Sequence, residues 1–122
     1  MTLIDTSVWI NHFRRGERRL AGMLEESSAG IHPFVIGELA CGNLRDRAAT
    51  LGDLSKLPHA KAATEAEVLN FVESRRLRGK GLGWVDVHIL ASAALSGWDL
   101  WTADRVMQQA AERMGIGAKL PL

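Results

Sequence analysis

Leu3-Ile4-Asp5-Thr6-Ser7-Val8-Trp9-Ile10 joins a very short apolar run to a helix start, with a carboxylate at the junction. Residues 2–5 are too few for periodicity to prove a strand, but their character suits a buried one. Thr6 or Ser7 can cap the following helix, which carries Val8, Trp9 and Phe13. Far along the chain, Asp99-Leu100-Trp101-Thr102 reads as another strand and is again followed by an acid, Asp104. If the two strands are parallel neighbours, both carboxylates emerge at the sheet edge where ligands bind in open α/β folds.

Between these runs the pattern is helical. Glu17–Ser27 presents Leu20, Met23 and Leu24 on one face, and residues 29–32 form a short strand or loop. Pro33 suits the first turn of a helix through about Asp46, with another helical segment from there to the stop at Leu57-Pro58. Thr64 and Glu67 make a capping box for a helix carrying Val68, Leu69, Phe71 and Val72 and expected to end near Gly79. Trp84–Leu95 is an apolar helix stopped by Gly97. A last helix shows Val106, Ala110 and Met114 on one face until Gly115, and residues 116–120 suit an edge strand. Short strands alternating with helices predict an α/β fold: a small, mainly parallel sheet flanked by helices in three α/β/α layers.

The 122 residues suit a single domain, 1–122, without repeats or linkers. A hydrophobic content of 47% with 24% charged residues is ordinary for a soluble protein, and no apolar run approaches the length of a membrane span. The start lacks a basic-then-apolar leader, so a cytoplasmic location is expected. Cys41 is the single cysteine, which rules out an internal disulfide, and it reads as a small buried residue. The net charge of +1 does not by itself announce a nucleic-acid binder. Two basic clusters stand out, Arg14, Arg15, Arg18 and Arg19, then Arg75, Arg76, Arg78 and Lys80, each of which would ordinarily be a solvated helix face.

Four carboxylates carry the chemistry: Asp5, Glu38, Asp86 and Asp104. Glu38 has Phe34, Val35 and Cys41 at neighbouring helical turns, and Asp86 has Ile89 and Leu90. Each acid could serve alone as a cap or a solvated side chain. Together, charges beside runs that want burial need a partner, and carboxylates that converge repel until a cation joins them.

The opening motif, Gly37-Glu38-Leu39, the block from Gly79 through Trp84-Val85-Asp86-Val87-His88 to Ala93, and Leu100-Trp101-Thr102-Ala103-Asp104 occur in order across nearly the whole chain. In these motifs the sequence resembles the PIN-domain nucleases, and among them the VapC-type toxins of toxin-antitoxin modules. The resemblance implies a single PIN-like nuclease domain acting as a metal-dependent endoribonuclease, with Asp5, Glu38, Asp86 and Asp104 as the catalytic, metal-holding quartet. It also implies Ser7 and Thr102 as supporting hydroxyls, a VapB-type antitoxin partner, an RNA substrate and a homodimer. Oxygen ligands without a thiolate pair suit Mg²⁺, or Mn²⁺ in the same setting, rather than zinc. Arg78 and Lys80 are the candidate RNA phosphate contacts.

His88 lies two residues from Asp86 and so on another side of its helix, which suits packing more than ligation. His12, His32 and His59 show no ligand spacing, and the four tryptophans read as core. No Gly-x-Ser-x-Gly turn and no Gly-x4-Gly-Lys-Ser/Thr loop is present, and Ser7 stands where an aspartyl phosphotransferase needs a second Asp. The alternative to a nuclease is a catalytically weak PIN-like domain that binds protein or RNA.

Overall fold

The computed structural model describes residues 1–120. Its centre is a three-stranded parallel sheet in the order β2-β1-β3, with β1 at Thr2–Ile4, β2 at Ala29–Gly30 and β3 at Asp99–Trp101. Parallel strands need crossovers, and helices supply them. Helices α1 (Thr6–Arg15) and α2 (Arg18–Glu25) lie between β1 and β2. Helices α3 (Pro33–Ala40), α4 (Arg47–Ser55), α5 (Glu65–Ser74) and α6 (Trp84–Ser96) lie between β2 and β3, and α7 (Arg105–Arg113) follows. The core joins Leu3, Ile4 and Leu100 of the sheet to Val8 and Trp9 of α1, Leu20 of α2, Val35 of α3, Val68 of α5 and Ile89 and Leu90 of α6. This is the three-layer arrangement the alternation of elements predicts.

Several boundaries differ from the sequence reading. The helix from Pro33 stops at Ala40, because the Arg47 guanidinium donates to the carbonyls of Ala40 and Gly42, and Asp46 takes a left-handed backbone (φ 47°) before α4. The α5 capping box forms in both directions, the Glu67 amide donating to Thr64 Oγ1 and the Thr64 amide to Glu67 Oε1. The helix ends at Ser74 rather than near Gly79, since Arg76 has φ 55° and the Leu77 amide folds back onto the Val72 carbonyl. On α7 the buried side chains are Met107, Ala110 and Ala111, with Val106 only half-buried. The tail makes a single parallel bridge, Gly117 to Leu100, instead of a strand. Cys41 is exposed, not buried. Trp9 and Trp101 belong to the core as expected, but Trp98 is half-buried and Trp84 is 46% exposed.

At Gly30 the sheet meets a helix-to-strand corner. A Cβ there would lie 2.2 Å from Cζ3 of Trp98, so the indole sits directly on the β2 backbone. Only glycine allows that approach.

Candidate active site

Asp5 and Asp104 both stand beyond the carboxyl ends of adjacent parallel strands. The ladder between β1 and β3 closes with the Asp5 amide donating to the Trp101 carbonyl at 2.9 Å. Asp5, not Thr6 or Ser7, is the N-cap of α1; its carboxylate accepts from the Ser7 amide, at a long 3.4 Å. The residue is 7% exposed, and its Oδ2 accepts two hydroxyls, Ser7 Oγ at 2.7 Å and Thr102 Oγ1 at 2.9 Å. The hydroxyl oxygens in turn accept loop amides: Ala103 donates to Ser7 Oγ at 2.9 Å and Asp104 donates to Thr102 Oγ1 at 3.0 Å. With both hydroxyl protons directed at Asp5 and each hydroxyl oxygen accepting one loop amide, the two hydroxyls lock the β1–α1 and β3–α7 turns together. The α1 N-terminus adds favourable field for a negative charge at Asp5.

Asp104 caps α7, with Oδ1 accepting from the Met107 amide at 2.9 Å. Glu38 approaches from α3, where its Oε1 accepts from Thr6 Oγ1 at 2.6 Å, one residue from Asp5. Asp86, in the first turn of α6, accepts from the Gly83 amide through Oδ2 at 2.9 Å. Hydroxyls therefore tie Glu38 and Asp104 to the Asp5 corner, whereas Asp86 is bonded to its own loop. Glu38 and Asp104 are exposed and Asp86 is half-buried. The face of α3 bearing Glu38, Phe34 and Cys41 points outward, while Val35 and Leu39 are buried, so Glu38 does not share a buried stripe as its neighbours suggested.

Each of the four carboxylates has one oxygen engaged by an internal donor and another that accepts no hydrogen bond among the described residues. None pairs with a cation; the ion pair found among the described residues joins Arg19 to Glu17. Oxygen donors without cationic partners fit a hard divalent ion in donor type. Among the described residues, no three His, Cys, Asp or Glu side chains converge closely enough to share one ion.

Two polar links escaped the sequence reading. Thr6 read only as a possible cap, and its bond to Glu38 spans 32 residues. His32, 2% exposed, caps α3 by accepting the Phe34 amide at Nδ1, which leaves Nε2 to donate to Ser92 Oγ on α6 at 3.1 Å. Burial, with His88 and His59 adding to it, pushes His32 down to about 4. His88 is buried between the rings of Phe34 and Trp84, with centroids at 4.8 and 4.6 Å, and its Nε2 has no partner among the described residues. Its surroundings are those of a packed ring.

Residues 2–113 match the sequence profile of the PIN domain, and the chain belongs to that family. Within it the chain is of the VapC type. It is 44% identical over 117 residues to Ribonuclease VapC32 of Mycobacterium tuberculosis, covering 95% of this chain and 94% of the relative, with the same figures in strains CDC 1551 / Oshkosh and ATCC 25618 / H37Rv. The fold is similar to FitAcB from Neisseria gonorrhoeae (TM-score 0.65, 18% identity, 92% of this chain and 94% of that one). It is also similar to PAE2754 from Pyrobaculum aerophilum (TM-score 0.60, 21% identity, 89% and 78%). FitAB bound to an IR36 DNA fragment gives a TM-score of 0.63 at 16% identity, over 92% and 91% of the two chains. No helix among the described residues is long and apolar enough to cross a membrane.

Proposed function

We propose that this protein is a Mg²⁺- or Mn²⁺-dependent endoribonuclease and the toxin of a type II toxin-antitoxin pair, working in the cytoplasm. The observation that carries this reading is the sheet edge beyond which Asp5 and Asp104 both stand, with Glu38 tied in through Thr6 and, among the described residues, no cation paired to any of the acids. The kinship to a protein named as a VapC ribonuclease supports the choice of RNA.

In this proposal Asp5 and Asp86 hold the ion, and Glu38 and Asp104 complete the pocket. When bound, the ion supplies positive charge beside the attacked phosphate and makes water more acidic. The chain's own groups do the rest. Ser7 and Thr102 fix the Asp5 carboxylate through Oδ2 and leave its other oxygen without a hydrogen bond among the described residues. The Met107 amide holds Asp104, and Thr6 holds Glu38. Water attacks phosphorus while the bond to the leaving oxygen breaks; one carboxylate takes the water's proton, and the leaving oxygen is protonated from solvent. No covalent intermediate is required.

An antitoxin and a second copy of the chain are the proposed protein partners. Of the apolar side chains on the first two helices, Val8 and Leu20 are buried and Met23 is half-buried, which leaves Ile10 and Phe13 as the exposed contacts beside Glu38. A catalytically weak binding module is the rival reading, favoured by the lack of three converging acids among the described residues. Incubating antitoxin-free protein and Asp86→Ala with labelled RNA in Mg²⁺, Mn²⁺ or EDTA decides between them. Metal-dependent cutting that Asp86→Ala loses is the expected result. Folded protein that cuts no RNA with metal present supports the binding module.

A further inference from the structure

Acids that activate water also repel the phosphodiester they must cut, so a nuclease built on four carboxylates needs cations nearby to hold its substrate. The chain has two separate hollows near its second basic cluster. Arg76 and Arg78 line one of them together with Glu73, which offsets their charge. Lys80 lines the other, a groove of about 240 Å³ between the 80–82 loop and α7, with Leu82, Val106, Gln109, Ala110 and Arg113. Among the described residues no acid lines that groove. Lys80, Gln109 and Arg113 are exposed, and neither cation is in an ion pair among the described residues. Its floor is apolar, with Ala110 buried and Leu82 and Val106 half-buried.

Both walls are close along the chain to acids of the candidate site. The loop wall runs from Lys80 to Gly83, whose amide is held by Asp86. The helical wall is one face of α7, Val106, Gln109 and Arg113, and α7 begins at its cap Asp104. From Asp104 to Arg113 the helix advances about 14 Å at 1.5 Å per residue, the reach of a few nucleotides rather than one phosphate. Gly79 and Gly81, with φ of 71° and 82°, give the loop a backbone path closed to most side chains, with Lys80 exposed between them.

We propose that this groove is the subsite that carries the backbone of single-stranded RNA away from the acidic site, with Lys80 and Arg113 as its phosphate contacts and Gln109 hydrogen-bonding between them. The inference rests on the nuclease reading and adds Arg113 and Gln109 to it, while setting Arg78 apart in the hollow that contains Glu73.

The test uses Asp86→Asn protein, which keeps an oxygen for the Gly83 amide, and a labelled single-stranded RNA oligonucleotide read by fluorescence anisotropy over a range of salt. Lys80→Gln and Arg113→Gln should each weaken binding and lower the salt slope by about 0.7, and the double variant by about 1.4. Arg18→Gln, on α2, should leave both unchanged. In the otherwise wild-type enzyme the double variant should raise KM for RNA cleavage more than it lowers kcat. RNA affinity and slope unchanged in the double variant, while the parent still binds RNA, would overturn the groove and leave the nuclease reading intact. A poly-glutamate peptide bound by the parent and lost in the double variant, with RNA binding unaffected, would make the groove a protein-docking site and overturn the proposal. A parent that neither binds nor cuts RNA would sink the nuclease reading and this inference with it.

Discussion

Acid should unfasten α3 through His32. The ring is buried, its Nδ1 accepts the Phe34 amide that caps the helix, and its Nε2 donates to Ser92 on α6. Protonation would put a second N–H where the Phe34 N–H already points, and the cap would be lost. In the fold the group sits at about 4, against an ordinary 6.5, through burial and then the neighbouring His88 and His59. Between those values the unfolded chain binds more protons than the folded one. The stabilisation is therefore complete above about pH 6.5 and drains away as pH falls toward 4. A shift of this size corresponds to about 3 kcal/mol across that window. Carboxylates titrate at the acid end as well, so the informative quantity is a difference between two proteins. His32→Asn keeps a side-chain oxygen for the Phe34 amide and cannot titrate. Urea unfolding of both proteins from pH 7.5 to 4 should show the wild type losing about 3 kcal/mol more than the variant on the way down. Two parallel stability curves, separated by a constant offset, would refute the assignment of the acid limb to His32.

Gly30→Ala should destabilise the protein by about 1–3 kcal/mol, because the added methyl overlaps the Trp98 ring. Thermal melts of the single variants and of the double variant with Trp98→Ala should reveal strong coupling; additive effects would show that the ring does not limit this position. Thr6→Val removes the hydroxyl that holds Glu38 and should slow metal-dependent RNA cleavage by about tenfold, with Thr6→Ser restoring it and melting temperatures little changed. Equal cleavage by Thr6→Val and wild type would show that Glu38 needs no such support.

The sequence reading succeeded where local signals agreed. Residues 3–5 and 99–104 each place an apolar run before an acid, and the structure sets those runs side by side in parallel, with Asp5 and Asp104 at one edge. The Thr64–Glu67 capping box and the stop at Gly97 are also local features, visible in a few residues. Long-range partners decided what was missed. Nothing near Ala40 says that Arg47 will reach back to its carbonyl, so α3 read six residues too long. Helix α3 is apolar on most sides, and its periodicity could not show that Phe34, Glu38 and Cys41 form the outward face. Thr6 and His32 have no pattern of their own; one acts on a residue 32 positions away and the other on a residue 60 positions away. Of the tryptophans read as core, Trp98 is only half-buried and Trp84, in the first turn of α6, is exposed.

The order of the strands has a consequence for how the protein is made. The central strand precedes both of its neighbours in the chain, and its partner on one side lies far downstream: Thr2 pairs with Asp99. Contacts so distant in sequence form late and slowly, because a long loop must close before they give anything back. A growing chain therefore carries Asp5 early, with neither Thr102 to orient it nor Asp104 at the same edge, until the segment from Asp99 to Asp104 has been added. Until that segment has been added, the edge that brings Asp5 and Asp104 to one side of the sheet does not exist, so topology alone delays its assembly.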